Sequence, residues 1–194
     1  MMARRTLTRE IIVHEAIQLL KESGLEGLSM RALATRLRVQ APTLYYHIPD
    51  KSALLNEVQT TLFESCFDRI GPCATWQEWM RNFGRAIWDV QEEAPFTPEL
   101  ILTTRIDEEH YSRTVARIGL ELGRFDADQD RLLFVQSAVQ AVVTGWSLFA
   151  HAPHSSRLTQ FVDFREAALD SVDKLVAGWS DRVVETPESA ILRG

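Results

Sequence analysis

Residues 41–55 read APTLYYHIPDKSALL, and this stretch sets how the rest of the chain is read. Pro42 is tolerated in a first helical turn, while Pro49 disfavours helix at Ile48, so any helix here is short. A helix of that length is marginal alone and must be held by packing, for which Val39, Leu44 and Ile48 are the available anchors. The outward set is then Gln40, Thr43, Tyr45, Tyr46 and His47: hydrogen-bonding and stacking groups without a carboxylate. A solvated helix face normally carries Glu and Lys.

Working outward, apolar residues recur at helical spacing nearly everywhere and no stretch shows the strict alternation of a half-buried strand, which predicts an all-α fold. A first helix spans 8–23: Thr8 can cap it, Ile12, Ala16, Leu19 and Leu20 form its inner stripe, and Gly24 supplies a left-handed stop. Ser29 caps a second helix whose inner face is Leu33, Ala34 and Leu37, and the chain turns at Arg38 and Val39. After the short helix, a long one runs from about 51 to 70 and is closed by Gly71 and Pro72. Further helices are expected at 76–93, 98–104, 108–123, 128–152 and 157–180, before a polar tail at 181–194. The domains are therefore a three-helix unit at 1–51, joined through the long helix to a larger helical body at 52–180.

The chain has 194 residues, 45% of them hydrophobic, which excludes a disordered chain or a stapled mini-protein. Its net charge of −6 argues against a nucleic-acid partner until it is divided. Residues 1–51 hold eight basic residues (Arg4, Arg5, Arg9, Lys21, Arg31, Arg36, Arg38 and Lys51) against five acids, a balance of +3, and the remainder carries −9. A basic three-helix unit with a polar, acid-free last helix suits a DNA major groove: cations for phosphates, donors and methyl groups for base edges. A chance charge split on a solvated face is the competing reading. Cys66 and Cys73 lack metal or redox spacing and point to a reducing compartment. Gln136, Gln140, Thr144 and Ser147 interrupt the apolar run at 132–150, so a buried helix is preferred to a membrane span. The first ten residues have no apolar signal-peptide region, and a cytoplasmic location is expected.

The segment from Ile11 to Leu55 resembles the N-terminal helix-turn-helix of the tetracycline-repressor (TetR) family of regulators. The shared pattern is an amphipathic helix ending in glycine, then GLSMRALATRL, a turn, P-T-L-Y-x-H, and a lysine four residues after the histidine. WQEWMRN at 76–82 is similar to the start of the tetracycline-repressor subgroup's second domain. The resemblance implies DNA contacts position by position. Ser29 and Arg31 fall where the family touches phosphates. Gln40, Ala41, Pro42, Thr43 and Tyr46 match groove-facing positions, and Tyr45, His47 and Lys51 match backbone grips. Arg38 stands where many relatives have glycine. The implied partners are a double-stranded DNA operator, a second copy of the chain and a small-molecule effector, with no membrane and no cofactor.

One short recognition helix offers too few base contacts, so two heads about one helical turn of DNA apart are expected. For the dimer interface, Phe161, Phe164, Ala168, Val172, Leu175 and Trp179 form an apolar seam on the last helix, and the preceding helix is apolar nearly all round; together they would build an intersubunit bundle, as the family does. The competing reading is that both seams close a monomeric core. The body's aromatic residues suggest an apolar effector cavity, with Trp79, Phe83, Trp88, Trp146 and Phe149 as walls, Ile101 beside them, and Thr104, Arg105, His110 and Gln140 as polar contacts. The resemblance implies that the subgroup chelates a drug-bound magnesium with a histidine after the fifth helix and a partner-chain acid near the end of the eighth; those places hold Ile101 and Phe149 here, and the subgroup's amide-bearing position falls at Phe83. Apolar side chains cannot ligate a hard cation, so a metal-free apolar effector is preferred. The pairs His151/His154 and Asp107/His110 do not make a di-iron set, and no nucleophile elbow, phosphate loop or HExxH motif is present, so no enzyme is expected. The alternative function is a helical small-molecule carrier without a DNA role.

Overall fold

Side-chain caps fix where the helices begin. In the computed structural model, which describes residues 7–153 and 155–180, the Thr8 hydroxyl accepts the N–H of Ile11 at the start of α1 (Arg9–Gly27), and Ser29 Oγ accepts that of Ala32 at 3.1 Å at the start of α2 (Met30–Leu37). The next helix, α3 (Ala41–His47), has no such bond, which leaves the Gln40 side chain free. Asp50 caps α4 (Lys51–Asp68), its carboxylate accepting the Ala53 N–H at 2.8 Å. At α5 (Trp76–Glu93) the Thr75 hydroxyl accepts from the Glu78 N–H while the Glu78 carboxylate accepts from the Ala74 N–H, a reciprocal lock. The remaining helices are α6 (Thr97–Thr103), α7 (Glu108–Leu122) capped by Asp107, α8 (Gln129–His151) capped by Asp128, α9 (Ser155–Leu158) and α10 (Phe164–Ser180). No strand occurs among the described residues.

Helices α1 to α3 close around Ile12, Ala16, Leu20, Leu33, Leu44 and Ile48, all at or near zero exposure. One side of α4 packs on α1, and the other meets α5, α6 and α7. The body is built on α5, α8 and α10, which pack on one another most extensively. Their approach is close at Gly84, where a Cβ would sit 3.2 Å from Val172 Cγ2 and 3.4 Å from Val139 Cγ1. A side chain there would push α5 away from both neighbours.

Three expectations change in the structure. Gly24 breaks α1, with φ 67°, but another turn follows and ends at Gly27. The expected helix at 157–180 is two helices. The N–H groups of Phe161 and Val162 both return to the Leu158 carbonyl, closing α9, and the Asp163 carboxylate then caps a fresh start by accepting the Glu166 N–H at 2.9 Å.

The third concerns the apolar seam. Phe164, Ala168 and Val172 are already buried, against α5 and α8 of the same chain, while Leu175 and Trp179 are half-buried and Phe161 is 83% exposed in the turn before α10. Spacing identified the buried face of α10 but not what covers it. The stripe left uncovered lies on α8: Phe134, Ala141, Leu148 and Phe149 are exposed, opposite the inward row Val135, Val139 and Val143. By length and composition α8 alone among the described residues could cross a membrane. That inward row, at zero exposure, makes it a core helix with one bare side. The expected tail at 181–194, His154, Arg4 and Arg5 lie outside the described residues.

Candidate nucleic-acid interface and effector cavity

The turn between α2 and α3 determines how α3 is presented. Arg38 takes a left-handed conformation (φ 56°), its N–H returning to Thr35 O, while the Val39 N–H reaches Ala34 O at 3.0 Å. That conformation favours glycine and costs a β-carbon-bearing residue roughly 1 kcal/mol, yet it reverses the chain within two residues and sends the Arg38 side chain into solvent. Leu44 and Ile48, 0% and 1% exposed, clamp the inner side of α3. Gln40, Pro42, Thr43, Tyr45 and Tyr46 are exposed, and Ala41 is half-buried. Tyr46 is 87% exposed, its ring meeting only the edge of His47 at 5.4 Å. Its ring and hydroxyl are therefore accessible to a partner.

The cations of the head divide into two groups. Arg36 is spent internally: its Nε donates to Glu15 at 2.8 Å and its two terminal nitrogens form a fork with Glu22 at 2.7 and 2.9 Å. Lys51 donates to the Leu25 carbonyl at 3.2 Å, holding the end of α1 against α4. Arg31 and Arg38 are exposed and make no ion pair among the described residues, so both are available for phosphates beside α3. Ser29 is exposed next to Arg31, but its hydroxyl oxygen already caps α2.

Below the head lies a polar junction that the sequence did not announce. Arg9 donates to Glu57 Oε1 at 2.8 Å and to the carbonyl of His47 at 3.1 Å, tying α1, α4 and the end of α3 together. On the body side, Glu57 faces Arg113 of α7 at 3.9 Å and the buried His110 ring at 3.5 Å. His110 is oriented by Asp107, whose Oδ1 lies 2.7 Å from Nδ1, and Asn56 of α4 donates to the same carboxylate at 3.2 Å. The His110 backbone N–H and then its ring hold the Asp107 carboxyl below its ordinary range.

Beside this junction α4, α5, α6, α7 and α8 enclose a cavity of about 320 Å³. Its apolar wall includes Leu62, Phe63, Ile87, Val90, Ile101, Ile118 and Leu133, and its polar groups are amides, hydroxyls and one thiol. No lining side chain carries a charge. The thiol is Cys66, and burial pushes it up to about 12, so it stays protonated at neutral pH.

Of the residues expected to hold an effector, Ile101 and Gln140 line this cavity and the others do not. Trp79 and Phe83 are fully buried, stacked on each other at 5.0 Å and on Phe67 at 6.2 and 5.9 Å, so they are core. Trp88 is buried as well. Trp146 donates to Ser171 on α10 at 3.1 Å and Phe149 is 56% exposed, so this pair belongs to the α8–α10 side. Thr104 and Arg105 sit in the α6–α7 connection, and His110 belongs to the junction. Helical spacing grouped these aromatic residues on common faces but could not say where each face pointed. The polar wall residues Gln59, Thr60 and Gln91 were missed. Their one sequence signal was a polar residue in an otherwise apolar row.

The positions that would hold a drug-bound magnesium do not fit one. Ile101 and Phe149 are apolar, and Phe83 is packed in the core. The wall contains no carboxylate or imidazole, and no group of three metal-ligating side chains occurs among the described residues.

Comparison with known proteins agrees with this geometry. The family model for bacterial regulatory proteins of the tetR family matches residues 12–58, which is α1 to the first half of α4. The class D tetracycline repressor protein of Escherichia coli is 34% identical over 161 residues, covering 79% of this chain and 70% of the repressor. Among solved structures, a TetR variant from Acinetobacter baumannii AYE in complex with minocycline superposes with a TM-score of 0.72 at 24% identity, over 90% of this chain and 97% of that one. The Streptomyces coelicolor TetR family protein ActR in complex with (S)-DNPA gives 0.70 at 17%, over 90% and 97%. Identity sustained across both head and body shows that the chain belongs to the tetR family of bacterial regulatory proteins, which are DNA-binding transcriptional repressors rather than enzymes.

Proposed function

We propose that the protein is a homodimeric repressor that holds a palindromic operator in the cytoplasm and releases it when a small, largely apolar effector enters the cavity. The observation that carries the reading is the outward face of α3. It is acid-free and, apart from the half-buried Ala41, exposed; it bears Gln40, Ala41, Pro42, Thr43 and Tyr46 for base edges and is flanked by Arg31 and Arg38, which make no ion pair among the described residues. Tyr45, His47, Lys51 and Ser29 add backbone contacts, although the Lys51 ammonium has only its remaining protons to offer. A carrier without a DNA role would leave this face unexplained.

Two heads require two chains. The bare α8 stripe of Phe134, Ala141, Leu148 and Phe149 supports a self-complementary contact, with Leu175, Trp179 and Phe161 at its border. Heads so paired read half-sites roughly 34–36 Å apart.

The lever is α4. Its Gln59, Thr60, Leu62, Phe63 and Cys66 form part of the cavity wall, and two residues earlier Glu57 holds the head through Arg9. An effector that favours a shifted α4 separates the heads by differential affinity, for which ordinary coupling of roughly 1–3 kcal/mol suffices. Selection from a genomic fragment library tests the reading. A palindrome with half-sites one turn apart is expected, retained in a strongly salt-dependent way. No enriched sequence, or enrichment unchanged by Thr43→Ala, would refute it.

A further inference from the structure

The polar groups in the cavity wall are not equivalent. Several are already satisfied within the protein: Thr97 Oγ1 donates to the Ala94 carbonyl at 2.7 Å, Ser137 Oγ to Leu133 at 2.9 Å, and the Gln136 amide nitrogen to Gln140 Oε1 at 3.2 Å. Three others are buried with no partner among the described residues: Gln59 Oε1, Gln91 Oε1 and Thr60 Oγ1. All three belong to residues lining the cavity, and Gln91 and Thr60 are each only 2% exposed. Gln91 is also held in place, since its amide nitrogen donates to Thr144 Oγ1 at 2.9 Å, which fixes the carbonyl end away from that bond. Leaving a buried polar atom unpaired is costly, so three such atoms on one cavity wall call for a partner that enters the cavity.

We propose that the cavity selects an uncharged, metal-free ligand that presents hydroxyl or N–H donors, received by the amide carbonyls of Gln59 on α4 and Gln91 on α5. This rests on the reading of the cavity as the effector site. The uncharged wall excludes carboxylates, ammonium groups and hydrated cations, because a charge moved into it would lose its water and find no counter-charge. Two of the three open groups are carbonyls, which only accept, so an ether or a ketone of the same shape cannot satisfy them. Thr60, with a hydroxyl, can serve either a donor or an acceptor. The volume, at the lower end for ligand pockets, suits a compact fused-ring phenol rather than an extended chain. The selecting carbonyl of Gln59 also lies on the helix that holds the head, so the bond that confers selectivity falls on the element that must move.

Three probes of one shape test this: 1,5-dihydroxynaphthalene, its dimethyl ether and naphthalene-1,5-dicarboxylate, with magnesium–tetracycline as a fourth. Binding to the intact protein is followed by calorimetry and tryptophan fluorescence. The diphenol is expected to bind on the order of tenfold more tightly than the diether, and the dicarboxylate and magnesium–tetracycline not to bind. That preference falls to about onefold in Gln59→Leu plus Gln91→Leu, while the diether is held at least as well. Gln59→Leu alone disturbs no hydrogen bond among the described residues and gives a partial loss if the double variant does not fold. Ile101→Trp, which fills the cavity, separates the two readings. If filling abolishes diether and diphenol binding but the native protein holds both equally, the cavity is the site and the donor assignment is wrong. If binding survives the filling, or no probe binds up to about 1 mM, the effector-site reading falls with it. Equal or tighter binding of the dicarboxylate or magnesium–tetracycline would also overturn the proposal.

Discussion

The head and the body carry their functional groups in opposite ways. In the head, the groups that meet a partner are on the outside, and a small tight core (Leu33, Leu44 and Ile48) exists to present them. In the body, the telling groups are inside: Gln59, Thr60 and Gln91 are polar residues in the wall of an apolar cavity, while the surface carries ordinary ion pairs such as Arg69–Glu93 and Arg81–Asp173. A surface reader is recognisable by what its exposed face lacks, here carboxylates. An internal site is recognisable only by which buried polar atoms stay unpaired, and that depends on direction as well as spacing. The two are joined through α4, on which Glu57 and Gln59 are two residues apart.

The largest predicted effect breaks the body while leaving each head intact. Leu148→Glu, on the bare stripe of α8, is expected to give monomers in sedimentation and to reduce operator affinity to the nonspecific level, a loss on the order of 10³-fold or more. Leu175→Glu should do less, because that side chain is half-buried within its own chain. A dimer persisting in Leu148→Glu would assign the interface elsewhere.

A smaller effect separates the two regions without damaging either. Glu57→Gln keeps the shape but removes the charge between Arg9 and Arg113. Operator binding and probe binding measured separately should each stay within about threefold, while the shift that one ligand causes in the other's affinity falls by roughly fivefold. An unchanged shift would show that α4 communicates by packing alone.

The smallest effect is acid sensitivity. Arg36 first, by its hydrogen bond, holds the Glu22 carboxyl low in the head; Arg69 does the same for Glu93 in the body, and the His110 backbone N–H for Asp107. Each depressed carboxyl stabilises the fold above its unfolded value and loses that contribution as pH falls through its lower folded value. Stability should therefore decline only below about pH 4 from these groups. All three carboxyls are exposed, although the His110 ring beside Asp107 is buried, so Glu22→Gln and Asp107→Asn are expected to lower the melting temperature slightly at neutral pH and to shrink its fall between pH 7 and about pH 3, where the protonated native carboxyls no longer differ from the amides. A loss as large at about pH 3 as at pH 7 would contradict the assignment.

Much of this was legible in the residues. Thr8 and Ser29 are capping types and begin helices where their side chains accept, and Pro42, Pro49 and the Gly71–Pro72 pair bound α3 and α4 as their backbone restrictions require. What escaped was relational. The row Phe164, Ala168, Val172 has the same spacing whether it meets α5 and α8 of its own chain or a second copy. Trp79 and Phe83 share a face, but only the position of Phe67 shows that this face is filled by stacking. Glu57 looks like any helical acid until Arg9, forty-eight residues away, is found beside it.

The central claim is that the outer face of α3 reads bases while the cations around it grip phosphates. Its most direct test is the salt dependence of binding to the selected operator and to a scrambled duplex, for the native protein, Tyr46→Ala and Arg38→Ala. Tyr46→Ala should lose about 1–3 kcal/mol on the operator only, and Arg38→Ala should weaken both duplexes alike and lower the salt slope by about one unit per head. Native-like affinity, specificity and slope in both variants would contradict the account.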